Sequence, residues 1–226
     1  MTQTLRLRLP EQAYVRRSLF AIELLDGVTL ERVGEGMTVT AEGLQGKPLR
    51  NSSGMFVWRP EDLGPLTRIV VDPGPQPYQQ VERLKSELVL PPAPRPITAI
   101  ELPPRADYVF ALGITVARGT LLEDRATPPT PVTDAVVHLR WLDADGQWRE
   151  APTESPTDSR GDFVAVLRLA AADVPQLDAA RSITARLRAR RNGVVRQSTD
   201  LSLPQGRIAD STTVSALTFA WVEMQP

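Results

Sequence analysis

Apolar and polar residues alternate with a period of two along most of the chain. In residues 183–190, Ile183, Ala185, Leu187 and Ala189 fall on one face, and Thr184, Arg186, Arg188 and Arg190 on the other. That spacing predicts a strand with one buried and one wet face, as in antiparallel sheets. Residues 135–142 set Ala135, Val137, Leu139 and Trp141 against His138 and Arg140, residues 162–169 point Phe163, Ala165, Leu167 and Leu169 inward, and residues 5–9 set Leu5, Leu7 and Leu9 against Arg6 and Arg8. Further strands are predicted over 15–25, 37–44, 55–58, 67–72, 78–90 (broken), 97–102, 112–122 and 213–222. Asn192-Gly193 and Asp145-Gly146 read as two-residue type I′ hairpin turns, which need residues that tolerate positive φ. Helix is confined to a short turn within 170–180 and a single turn at 60–64.

A joint occurs twice. "NSSGMFV" begins at Asn51 and "DSRGDFV" at Asp158. In each, the side chain of Asn51 or Asp158 bonds its own backbone, and Gly54 or Gly161 takes a conformation other residues resist. Phe56 or Phe163 then anchors the next strand in the core. Each joint is preceded by two strands and followed by an acidic, proline-containing connection and another strand. The interval is 13 residues from Phe56 to Ile69 and 20 from Phe163 to Ile183, so the second copy has the longer loop. The expected organisation is all-β: two tandem antiparallel Greek-key β-sandwich domains, 1–104 and 105–226. Pro103-Pro104 between them predicts an extended, semi-rigid connection.

At 226 residues the chain is long enough for both cores, and 42% hydrophobic with 23% charged residues is the balance of a folded protein. Twenty-one prolines against fourteen glycines favour strands and stiff connections over long helices. A formal net charge of −1 gives no electrostatic reason for a nucleic-acid or anionic-membrane partner. No apolar run approaches a membrane span, and "MTQTLRLRLPEQ" lacks the apolar core of a signal peptide, so a cytoplasmic location is the default expectation.

Candidate chemistry is sparse. With no cysteine there is no disulfide framework or thiolate nucleophile, and one histidine leaves zinc without a ligand set. A Ser-His-Asp arrangement needs only one histidine, but His138 lies mid-strand on the predicted solvent face. "DADG" at 143–146 has the start of a calcium loop without its later carboxylates, and a hairpin turn accounts for it. No glycine-rich phosphate loop is present. No catalytic residue, metal or cofactor is expected. The densest charge is Arg186, Arg188 and Arg190, with Arg191 and Arg196 across the hairpin. It reads as a solvated face that blocks edge pairing, with a patch for an acidic partner as the alternative. Trp58, Trp141 and Trp221 fall on strands as core residues, and Trp148 is expected to be partly exposed.

The second half, with "GTLLED" (119–124), "PVTDAVVHL" (131–139) and "TDSRGDFVAVL" (157–167), resembles the carboxypeptidase regulatory-like (transthyretin-like) β-sandwich domain. The first half keeps "NSSGMF" and "VVDPGPQPYQQV", but its "GKPLRN" falls directly before the joint. The resemblance implies a Greek-key sandwich in a non-catalytic accessory role. The chain is therefore expected to be a structural or adaptor protein contacting other protein subunits, as in a larger assembly such as a phage-tail-like particle. A carbohydrate- or other ligand-binding module is the second reading. A glycan site needs exposed aromatics on a concave face, whereas an adaptor needs an apolar patch or open edge strand.

Overall fold

A computed structural model of the chain describes residues 20–59, 63–209 and 217–226. The strand at 5–9, the first part of 15–25, most of the turn at 60–64 and the start of 213–222 lie outside these residues. The architecture is all-β. The first part of the chain forms β1 (Phe20–Asp26), β2 (Arg32–Val33), β3 (Thr38–Glu42), β4 (Leu49–Arg50), β5 (Phe56–Trp58), β6 (Arg68–Asp72), β7 (Val81–Leu84) and β8 (Ile97–Leu102). The second forms β9 (Thr115–Leu122), β10 (Val136–Leu142), β11 (Trp148–Glu150), β12 (Ser155–Pro156), β13 (Asp162–Leu167), β14 (Ser182–Arg191), β15 (Val194–Gln197), β16 (Leu201–Pro204), β17 (Ile208–Ala209) and β18 (Thr218–Ala220).

The central pairings recur in both parts, whereas β4 pairs with β5 in the first and β11 and β12 pair with β10 in the second. β1 lies between β5, antiparallel, and β8, parallel; β9 lies between β13, antiparallel, and β17 and β18, parallel. β3 pairs with β6, which pairs with β7, as β10 pairs with β14, which pairs with β15 and β16. The strand that follows each joint thus returns to the first strand of its own part. The alternation read from the sequence sets the burial: Val137, Leu139 and Trp141 on β10 and Ile183, Ala185, Leu187 and Ala189 on β14 are buried together with Phe163, Ala165 and Leu167.

β13 departs from one-sided alternation. Phe163, Ala165 and Leu167 enter the second core, while Val164 and Val166, with Val116 of β9, are buried in the first, beside Ile22, Ile69 and Ile100. The two cores therefore meet across the β9–β13 sheet. An uninterrupted apolar run, "FVAVL", is the mark of a strand buried on both faces. Polar links cross the same junction: Arg168 Nη1 donates to Glu101 Oε2 (3.0 Å) and Gly27 O (3.3 Å), and Gln79 Nε2 donates to Pro156 O (3.0 Å). The Pro103-Pro104 segment runs beside residues 77–79, with Gln79 N donating to Pro103 O (2.8 Å) and Arg105 N to Pro77 O (2.9 Å).

Two local expectations are corrected. Residues 170–180 form no helix. Pro175 cannot donate within a helix, and the segment lies extended along the end of β10, with Ala144 N donating to Val174 O and Gln176 N to Leu142 O (both 2.9 Å). Asn192 and Gly193 do adopt positive φ (49° and 78°), but Asp145 does not, so "DADG" is not a type I′ turn. It is a longer loop capped by Asp143, whose Oδ1 accepts Asp145 N (3.0 Å) and Gln147 N (2.7 Å).

That loop is one of a set. At 51–55, 143–147, 158–162 and 178–182 the first residue's side chain accepts the N–H of the fifth, at 2.9, 2.7, 3.0 and 2.8 Å. The first residue's N–H donates to the carbonyl of the fifth. The fourth position has positive φ: Gly54 84°, Gly146 76°, Gly161 76° and Arg181 60°. Only the last lacks glycine, and a left-handed residue bearing a Cβ costs about 1–2 kcal/mol, partly offset by glycine's greater unfolded-state freedom. Arg181→Gly should accordingly raise stability by about 0.5–1 kcal/mol. A melting temperature at or below that of the parent would contradict this.

Candidate functional site

β1 ends in a carboxylate that is 5% exposed, Asp26. Such a group must be fully bonded to be tolerated. Its Oδ1 accepts Val28 N (2.6 Å) and Thr29 N (3.1 Å), and its Oδ2 accepts the hydroxyls of Tyr78 (2.8 Å) and Tyr108 (2.6 Å). Burial, and then the bond to Asp26, pushes both phenols well above the usual tyrosine range, so both stay protonated as donors. The Tyr108 ring packs against Tyr78 (centroids 5.7 Å apart) and Phe110 (4.7 Å). Arg118 of β9 lies over Phe110 at 5.1 Å, and its Nη2 donates to Tyr108 O at 2.5 Å.

The segment leaving the first part of the chain is thus clasped from β1, from 77–79 and from β9. Immediately beyond this clasp the side chains turn outward: Val109 is 88% and Leu112 103% exposed. Two aliphatic side chains held in water on a fixed base form a surface suited to burial against another protein, since little conformational entropy is left to lose. The exposed large hydrophobic side chains among the described residues are all aliphatic. Trp148 is half-buried, with the guanidinium of Arg186 4.2 Å above its ring.

The arginines singled out from sequence divide between two faces. Arg186, Arg188 and Arg190 share the outer face of β14 and meet acids: Asp200 (2.5 Å), Glu150 (2.8 Å) and Glu154 (3.9 Å). Arg191 turns to the opposite face, between Glu123 and Asp134, where the hydrogen bond to Glu123 raises its already high pKa. Arg196, paired in register with buried Ala189, donates to Trp221 O (2.8 Å) and lies 5.3 Å over the Trp221 ring. His138 is half-buried with Glu154 Oε1 3.7 Å away. Asp143, the first acid of the calcium-like stretch, is held below the usual carboxylate range by Arg149 Nε (2.7 Å) and then by the Gln147 amide. Asn51 and Gly54, like Asp158 and Gly161, sit in the turns, and Phe56 and Phe163 are the first residue of β5 and the second of β13.

Sequence reasoning missed the clasp and the loop it carries. "YVFALG" (108–113) has no acidic or glycine-rich signature, and nothing local tells which of its apolar residues face water. The one available signal was Asp26, an acid that closes β1 directly after two leucines. No protein-family model matches the chain, and no curated protein or solved structure is significantly similar to it.

Proposed function

We propose that the chain is a non-enzymatic structural or adaptor protein that joins other protein subunits, as in a larger assembly. Its form would be two tandem Greek-key sandwiches of the carboxypeptidase regulatory-like kind. Support for the form is the central strand pairing shared by its two parts. The observation carrying the function is the Val109–Leu112 tip, aliphatic, solvated and anchored through Tyr108 to Asp26. Burying such a tip against a partner would remove two apolar side chains from water at about 1.5–3 kcal/mol each. A clasped junction also suits presentation of surfaces at a set spacing, which a loose tether would not.

The test is capture of partners from the source cells by the intact protein and by a Val109→Ser/Leu112→Asp variant. The variant should fold normally, because neither side chain is buried, and should lose the partners at least tenfold. Undiminished capture would remove the loop from the interface. Binding to a glycan panel that survives the double substitution would favour the ligand-binding module.

A further inference from the structure

One of the four capped turns keeps a residue that its backbone disfavours. Gly54, Gly146 and Gly161 hold the left-handed fourth position in three of them, and Arg181, at φ 60°, holds it in the last. A Cβ there is strained, and strain of this kind gathers at functional sites. Nothing within the chain offsets it. Arg181 is exposed, and among the described residues its guanidinium has no hydrogen-bond or ion-pair partner. The one acid of its turn, Asp178, is committed elsewhere: Oδ1 accepts Ala180 N and Ser182 N (both 2.8 Å), and Oδ2 accepts Ser202 Oγ (3.3 Å).

This turn is tied to the Val109–Leu112 tip. Arg181 O accepts Gln205 N (3.1 Å), which joins it to the turn at 204–207. The second turn is itself held to the start of β9: Gly206 N donates to Thr115 Oγ1 (2.8 Å), and Val116 N to Arg207 O (3.1 Å). It also closes on the foot of the tip. A Cβ on Gly206 would lie 3.3 Å from Gly113 Cα, and Gly113 directly follows Leu112. Arg207 is exposed too, and its guanidinium is likewise unpaired among the described residues. The other cations around the tip are already engaged: Arg105 pairs with Asp107 (2.6 Å), and Arg118 lies over Phe110 with Nη2 on Tyr108 O. Arg186, Arg188 and Arg190 on β14 also meet acids. Arg181 and Arg207 do not, so the charge that complements them is not supplied by the described residues.

We propose that Arg181 and Arg207 form the charged rim of the tip's docking surface, and that the partner is a protein carrying carboxylates beside the apolar pocket that takes Val109 and Leu112. A guanidinium can hold a carboxylate by two parallel hydrogen bonds, and a charged rim steers the encounter that apolar anchors then secure. This rests on the adaptor reading and names the chemistry of its partner. The test uses the full chain, and its probe is the protein captured through the tip, identified by mass and purified. Arg181→Gly/Arg207→Gln should melt no lower than the parent, because glycine relieves the strain and both side chains are exposed, yet bind that protein about tenfold more weakly. Added salt should weaken binding by the parent steeply and by the variant little. A folding defect does not produce a variant that is at least as stable and binds worse. Arg207→Gln alone, which leaves the 178–182 turn intact, should weaken binding about threefold. Equal affinity of parent and double variant, or equal salt dependence, overturns the proposal; the adaptor reading then stands without it if Val109→Ser/Leu112→Asp still loses the protein. Undiminished capture by Val109→Ser/Leu112→Asp, or no protein captured by the parent, removes the adaptor reading and this proposal together.

Discussion

Replacing Asp26 with alanine is expected to lower the unfolding free energy by about 3–5 kcal/mol, a large share of a typical domain's stability. The carboxylate accepts two backbone amides and two tyrosine hydroxyls, and alanine leaves all of these donors without an acceptor in a buried site. Tyr108→Phe removes one donor and leaves the carboxylate with three, so about 1–2 kcal/mol should be lost. Its second effect is on function: with the clasp loosened, the Val109–Leu112 tip should capture partners less tightly although its own side chains are intact. The same cluster sets an alkaline limit. Both phenols keep their protons in the folded protein above the pH, near 10, at which an unfolded tyrosine loses its own. The folded state then binds more protons than the unfolded, so stability present below pH 10 falls as the pH rises past it. Denaturant melts of the three proteins at neutral and alkaline pH check both points. A loss below about 1 kcal/mol for Asp26→Ala would show that the cluster contributes little net stability.

The two joints should respond very differently to the same substitution. Gly54 and Gly161 share their φ and their capping bonds, so valine strains the backbone alike at both, by about 1–3 kcal/mol. Their surroundings differ. A Cβ on Gly161 would lie 2.4 Å from Leu121 O and 3.2 Å from Pro131 Cβ and Val132 N, whereas on Gly54 the nearest atom is the flexible Arg32 Cδ at 3.4 Å. Gly161→Val must push β13 from β9, breaking the 2.8 Å bond from Leu121 N to Gly161 O. We expect a total of about 3–5 kcal/mol at Gly161 against about 1–3 at Gly54. Equal losses in urea melts would mean that the close approach at Gly161 relaxes without cost.

Much of the fold was legible in the chain because period-two alternation reports one buried face directly. Residues 183–190 alternate in burial as the pattern requires, and Asn192-Gly193 makes its turn because both residues tolerate positive φ. The misreadings have local causes. Asp145-Gly146 carries the same dipeptide signal, but Asp143 two residues earlier captures the backbone amides first. Residues 170–180 are rich in alanine, a helix former, yet pairing with the end of β10 outweighs that preference around Pro175.

By itself the sequence determined the longer strands among the described residues, the two capped joints at Asn51 and Asp158 and the all-β class, since period-two alternation and turn capping depend on contacts within a few residues, whereas the short strands β2, β4, β12 and β17 left no such pattern. Only the tertiary structure decided what covers the second face of β13, that Arg191 and Arg196 leave the face of Arg186, Arg188 and Arg190, and where Val109 and Leu112 point. β13 shows the reason. Val164 and Val166 are buried not by their own sheet but by the first part of the chain, a contact spanning about a hundred residues. Asp26 meets Tyr78 and Tyr108 across separations of 52 and 82 residues. No local periodicity encodes such meetings, because the partner surface exists only once both parts have folded.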